Sequence, residues 1–124
     1  MGQIRKYSCQ CGYEKQAFTG AGMHGCNLRM IQRFFPEEAD MLIREKERVK
    51  MYMLQNVLAE CETCQKLFDV PQLLYQKEGE AQKACIMDVC PECEKPMTVR
   101  EDIENVKCPL CGKKMIYEIA GDWD

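Results

Sequence analysis

The chain has 124 residues, ten of them cysteines, and a formal net charge of −3. Leu, Ile, Val and Phe make up only about a fifth of it, too little for one large apolar core, and chains so thin in core residues lean on disulfides or metals. No apolar run approaches the ~20 residues of a membrane span, the first residues carry no apolar signal core, and Lys6 stands where a myristoylation signal needs Ser or Thr. The expected location is therefore the cytoplasm, where thiols stay reduced and clustered cysteines act as metal ligands or redox groups.

In chain order, Ile4 to Phe18 reads as strand, knuckle, strand around Cys9-Gln-Cys11-Gly12, with Gly12 supplying a tight turn. A glycine-rich loop follows, from Gly20 to Cys26, and holds the only histidine, His24. Asn27 caps a short helix over about 27–34, and Pro36 opens a longer one. Acids crowd the start of that second segment and bases gather later, while Ala39, Leu42, Ile43, Val49, Met53, Val57 and Leu58 recur at helical spacing. These signals predict one helix over about 36–60. Beyond it the pattern turns to short β-type runs: Leu67 to Tyr75, Ala84 to Val89, Met97 to Arg100, Ile103 to Lys107 and Met115 to Ile119. Pro71 marks its run as an edge strand or a bulge. Trp123 is expected to fold back over a ribbon with its indole N–H at the wet edge.

Eight cysteines form four close pairs: Cys9 and Cys11, Cys61 and Cys64, Cys90 and Cys93, Cys108 and Cys111. Two thiolates at this spacing on a tight turn face one tetrahedral ion at ~2.3 Å, and two such turns complete its shell. Which turns share an ion stays open. The sequential pairing, favoured on chain order, joins Cys9, Cys11, Cys61 and Cys64 in one site and Cys90, Cys93, Cys108 and Cys111 in the other. The nested pairing joins Cys61, Cys64, Cys90 and Cys93, with the chain ends meeting to bring Cys9 and Cys11 to Cys108 and Cys111. His24, Cys26 and Cys85 are left over, and a third ion is conceivable if they take part. The bland alternative has Cys85 as a small buried strand residue and Cys26 merely preceding a helix.

The segment Cys90-Pro-Glu-Cys93 to Cys108-Pro-Leu-Cys111-Gly-Lys-Lys-Met resembles a zinc ribbon, a set of short strands clipped by two Cys-Pro-x-Cys knuckles. The layout as a whole is similar to that of small bacterial proteins with several zinc-ribbon knuckles, over roughly residues 4–20 and 60–120. The resemblance implies a small metal-stabilised α+β fold: two zinc-ribbon β modules with rubredoxin-like knuckles and an inserted helical segment. It divides the chain into an N-terminal half, 1–66, carrying the inserted helices, and a C-terminal ribbon with a preceding β-hairpin, 67–124.

Four thiolates per ion leave no open position for water or substrate, which points to structural zinc, two ions per chain, rather than an enzyme; iron is the other occupant such a site accepts. Eight thiolates and two divalent ions take the formal charge to about −7. Lysines and arginines never run beyond two together, so non-specific nucleic-acid binding is disfavoured. The expected role is a protein-interaction or regulatory module whose Met-rich 36–60 segment contacts a partner or a second copy. The alternatives are a nucleic-acid or transcription accessory protein and a thiol- or metal-responsive regulator.

Overall fold

The computed structural model describes residues 2–21 and 26–123. His24 and the possible site built on it lie outside the described residues. Among the described residues the chain is a small α+β arrangement of two short helices and seven mostly antiparallel strands. None of the helices among the described residues is long and apolar enough to cross a membrane.

Strands β1 (Gly2–Ser8) and β2 (Glu14–Thr19) form the first hairpin, closed by the Cys9-Gln-Cys11-Gly12 turn. The last strand, β7 (Ile116–Trp123), pairs with β1, so both ends of the chain share one sheet in the order β2-β1-β7. The second sheet, β5-β4-β3-β6, is built on a long hairpin of β3 (Val49–Cys61) and β4 (Lys66–Lys77), with short partners β5 (Ala84–Met87) and β6 (Thr98–Val99). The expected halves 1–66 and 67–124 thus interleave: each sheet takes strands from both sides of that boundary.

Helix α1 (Leu28–Phe34) starts where expected, with the Asn27 side chain accepting a hydrogen bond from the Arg29 N–H at 2.9 Å. Helix α2 (Pro36–Arg44) also starts as read, on Pro36 with Glu37 and Glu38 in its first turn. It does not run to residue 60. A turn over residues 45–48 ends it, fixed by the Arg48 N–H on the Glu45 carbonyl (2.8 Å) and by the Lys77–Glu45 ion pair (3.2 Å). Residues 49–61 are strand instead. The strand carries buried residues on both faces, Leu54 and Leu58 on one and Ala59 and Cys61 on the other. A strand buried on both sides loses the clean polar–apolar alternation, and its residues can then mimic helical spacing.

Pro71 sits in β4 opposite Asn56. The outer partner β5 covers only Gln72 to Tyr75, so at Pro71 the strand is a local edge and the missing N–H costs no ladder bond. Of the remaining β-type runs, Ile103 to Lys107 forms no strand and contributes a single bridge, Lys107 to Lys114.

Two small cores replace one large one. The helices lay Ile31, Phe35, Ala39 and Leu42 on Leu54 and Leu73 of the long hairpin. The second core gathers Tyr7, Ala17, Leu58, Leu67, Val106 and Met115 between the two sheets, next to the cysteines. Polar ties join the sheets as well. Asp69 accepts from the Phe18 N–H (2.9 Å) and pairs with Lys15 (3.1 Å), and the Tyr13 hydroxyl accepts from the Leu67 N–H (2.9 Å). Trp123 folds back as expected, donating its indole N–H to the Thr19 carbonyl at 3.0 Å.

Candidate metal centres

The eight paired cysteines come together as two quartets, each with its four sulfurs within 4.8 Å of one another. One is Cys9, Cys11, Cys108 and Cys111; the other is Cys61, Cys64, Cys90 and Cys93. This is the nested pairing, and it corrects the sequential one. The physical reason is strand pairing. Pairing of β1 with β7 carries the first knuckle to the last, and the β3–β4 hairpin leaves Cys61 and Cys64 at its tip, beside the knuckle at residues 90–93.

Between knuckles, sulfurs lie 3.3 Å apart for Cys9 and Cys111, 3.6 Å for Cys11 and Cys108, 3.4 Å for Cys61 and Cys93, and 3.8 Å for Cys64 and Cys90. Ligands at ~2.3 Å from a tetrahedral ion stand about 3.8 Å from each other, so these distances fit a shared ion after small adjustments. They are far from the ~2.05 Å of a disulfide, and all ten cysteines are free thiols.

Each knuckle folds in the same way. In the knuckles at 90–93 and 108–111 the first cysteine donates its N–H to the carbonyl five residues on, Lys95 (2.9 Å) and Lys113 (2.7 Å), and accepts at its own carbonyl from Glu94 and Gly112 (2.9 Å each). At 61–64 the corresponding pair, Cys61 and Lys66, closes the β3–β4 ladder. The residue after the second cysteine has a positive φ in all four knuckles: Gly12 (99°), Gln65 (53°), Glu94 (61°) and Gly112 (78°). Glycine adopts that conformation freely, whereas Gln65 and Glu94 hold it at a cost. Three knuckles also repeat as Cys-x-x-Cys-x-Lys, ending at Lys66, Lys95 and Lys113. The reading of the sequence missed this repeat, although the spacing is plain in it. Of its lysines, Lys66 reaches across to Glu92 on the opposing knuckle at 2.9 Å.

Thiols within one quartet differ in how readily they ionise. Burial, and then hydrogen bonds with its three cluster neighbours, pushes the Cys64 thiol up to about 12. Burial opposes ionisation at Cys90 too, but the backbone N–H groups of Cys93 and Glu92 outweigh it and bring that thiol down to about 7. Cys108 behaves alike: against its burial, the N–H groups of Cys111 and Leu110 lower it to about 7. Each quartet thus holds one thiol prepared to ionise near neutral pH, Cys90 in one and Cys108 in the other, while Cys64 ionises readily only when a cation offsets its charge.

Cys26 and Cys85 belong to neither quartet. The exposed Cys26 thiol donates to the Tyr52 carbonyl at 3.7 Å. Cys85 lies in a strand as anticipated, opposite Leu74, but it is exposed rather than buried. Comparison with protein-family models, with curated proteins and with solved structures finds no match to the chain in any of the three.

Proposed function

We propose that the chain is a non-catalytic zinc protein of the zinc-ribbon kind, with one Zn²⁺ in each quartet and a protein partner on its surface. The observation that carries this reading is the convergence of eight thiols, from four knuckles, into two tetrahedral-sized clusters. Closed four-thiolate sites are the usual form of structural zinc, and soft thiolate ligands favour zinc or iron over harder cations. A filled shell has no position for a substrate, which is why no catalytic residue is assigned.

For the partner surface, the reading leans on exposed apolar side chains. Leu110, Ile116 and Ile119 are each more than half exposed within one ten-residue stretch, and Phe34 and Ile43 are exposed on the helices. Exposed apolar side chains of this size are what a contact site would use, although Ile116 and Ile119 lie on opposite faces of β7. Because α2 stops at Arg44, Met51 and Met53 are strand residues and not part of a contact helix. The nucleic-acid alternative keeps little support from a chain of net charge −3.

Native mass spectrometry with elemental analysis, on protein purified without added metal, tests the metal. Two zinc ions per chain are expected; iron, or disulfides in place of metal, would contradict the reading. For the partner, Ile116→Asp together with Leu110→Asp should abolish capture of a binding protein while leaving both metals in place.

A further inference from the structure

We propose that the quartet of Cys9, Cys11, Cys108 and Cys111 is an oxidation site for small hydroperoxides, which gives up its metal while the other quartet keeps its own. The proposal rests on reading both quartets as metal sites. Its ground is the unequal access to the two sets of sulfurs. In the first quartet Cys11 and Cys111 are exposed, Cys9 is half-buried and only Cys108 is buried. In the second, Cys61 and Cys90 are buried and the other two half-buried.

A depression of about 220 Å³ lined by Ser8, Cys9, Gln10, Lys113, Lys114 and Ile116 opens beside the first quartet. It is wide enough for a hydroperoxide, and its wall carries two lysines and no carboxylate. The second quartet's two knuckles are also tied together by the Lys66–Glu92 ion pair.

The chemistry balances without a further reductant. The Cys9 thiolate, which lines the depression, attacks the terminal oxygen of the hydroperoxide. An S–O bond forms, the O–O bond breaks, and the leaving oxygen takes a proton to become water or an alcohol. The exposed Cys111 sulfur lies 3.3 Å from Cys9. Its thiolate then displaces the sulfenic hydroxyl, which leaves as water on taking a second proton. The two thiolates supply the two electrons, the hydroperoxide accepts them, and the metal departs from the two remaining thiolates without changing its oxidation state. The new disulfide links the same two knuckles that the metal had linked. The β1–β7 pairing and the core around Tyr7, Val106 and Met115 therefore hold their places.

The test uses the full zinc-loaded chain with Cys26→Ser and Cys85→Ser, which removes the two exposed thiols outside the quartets. Native mass spectrometry counts zinc before and after titration with hydrogen peroxide, and peptide mapping locates the disulfide. Two zinc ions before oxidant are expected, followed by loss of one, a Cys9–Cys111 disulfide, alkylatable thiols at 11 and 108, and four more at 61, 64, 90 and 93 once the remaining zinc is chelated. Loss of both ions together, loss from the second quartet first, or retention of both in excess oxidant would overturn the proposal. Fewer than two zinc ions at the outset would overturn the metal reading and the proposal with it.

Discussion

The two quartets are built from the same knuckle, yet they sit differently in the chain. The Cys61–Cys64–Cys90–Cys93 cluster closes the tip of the longest hairpin, with two of its sulfurs buried. The Cys9–Cys11–Cys108–Cys111 cluster joins the two ends of the molecule, and two of its sulfurs face solvent. In the first case a bound metal would stand at the end of a ladder that is already continuous. In the second it would secure contacts between residues about a hundred positions apart, whose loop-closure cost must be met by the β1–β7 pairing and the inter-sheet core. The difference teaches that an identical ligand set can be a sheltered structural element at one position and an accessible one at another, depending on which strands deliver it.

The largest effects should come from removing a buried ligand. Cys90→Ser is expected to lose one metal, open the hairpin tip and lower the melting temperature steeply. Cys111→Ser should also lose one metal but leave the β3–β4 hairpin and its helices folded; circular dichroism and metal counts distinguish the two. Equal damage from both would erase the contrast. Next in size is the response to acid. Metal uptake must displace protons from thiols such as Cys64, which holds its proton up to about 12. Affinity therefore rises with pH, and metal is lost as pH falls. The sheltered quartet, which holds Cys64, should empty at the higher pH of the two on a titration followed with a chromogenic zinc indicator.

A smaller effect tests the knuckle backbone. Gly12 and Gly112 have open space where a Cβ would stand, so replacement by Ala acts through the positive φ alone. Gly12→Ala and Gly112→Ala should each destabilise by about 1–2 kcal/mol in thermal unfolding. Gln65→Gly and Glu94→Gly should be neutral or slightly stabilising, since relief of strain is offset by added freedom of the unfolded chain. Smallest of all, Lys66→Ala removes the ion pair between the sheltered quartet's two knuckles. Its cost should be slight and should vanish at high ionic strength, as for any exposed ion pair.

Much of the site was legible because knuckles are local. Cysteines spaced for one ion, a glycine after the second thiol in two of the four turns, and caps such as Asn27 and Pro36 are all read within a few residues. What escaped was non-local. Fourteen residues separate Cys93 from Cys108 and twenty-five separate Cys64 from Cys90, but loop length discriminates weakly, at roughly 0.6 kcal/mol per doubling. The deciding term was the pairing of β1 with β7, for which no turn or motif gives a sign. The missed strand at 49–61 has a different cause. A residue set buried on both faces, with no glycine or proline to break it from the helix before it, fits helical spacing until its hairpin partner is known.

Thiol footprinting of the zinc-loaded Cys111→Ser variant tests the nested pairing most directly. Mild alkylation followed by peptide mapping should modify Cys9, Cys11 and Cys108 while Cys61, Cys64, Cys90 and Cys93 remain protected by the surviving ion. Modification of Cys90 and Cys93, with Cys9 and Cys11 protected, would contradict it.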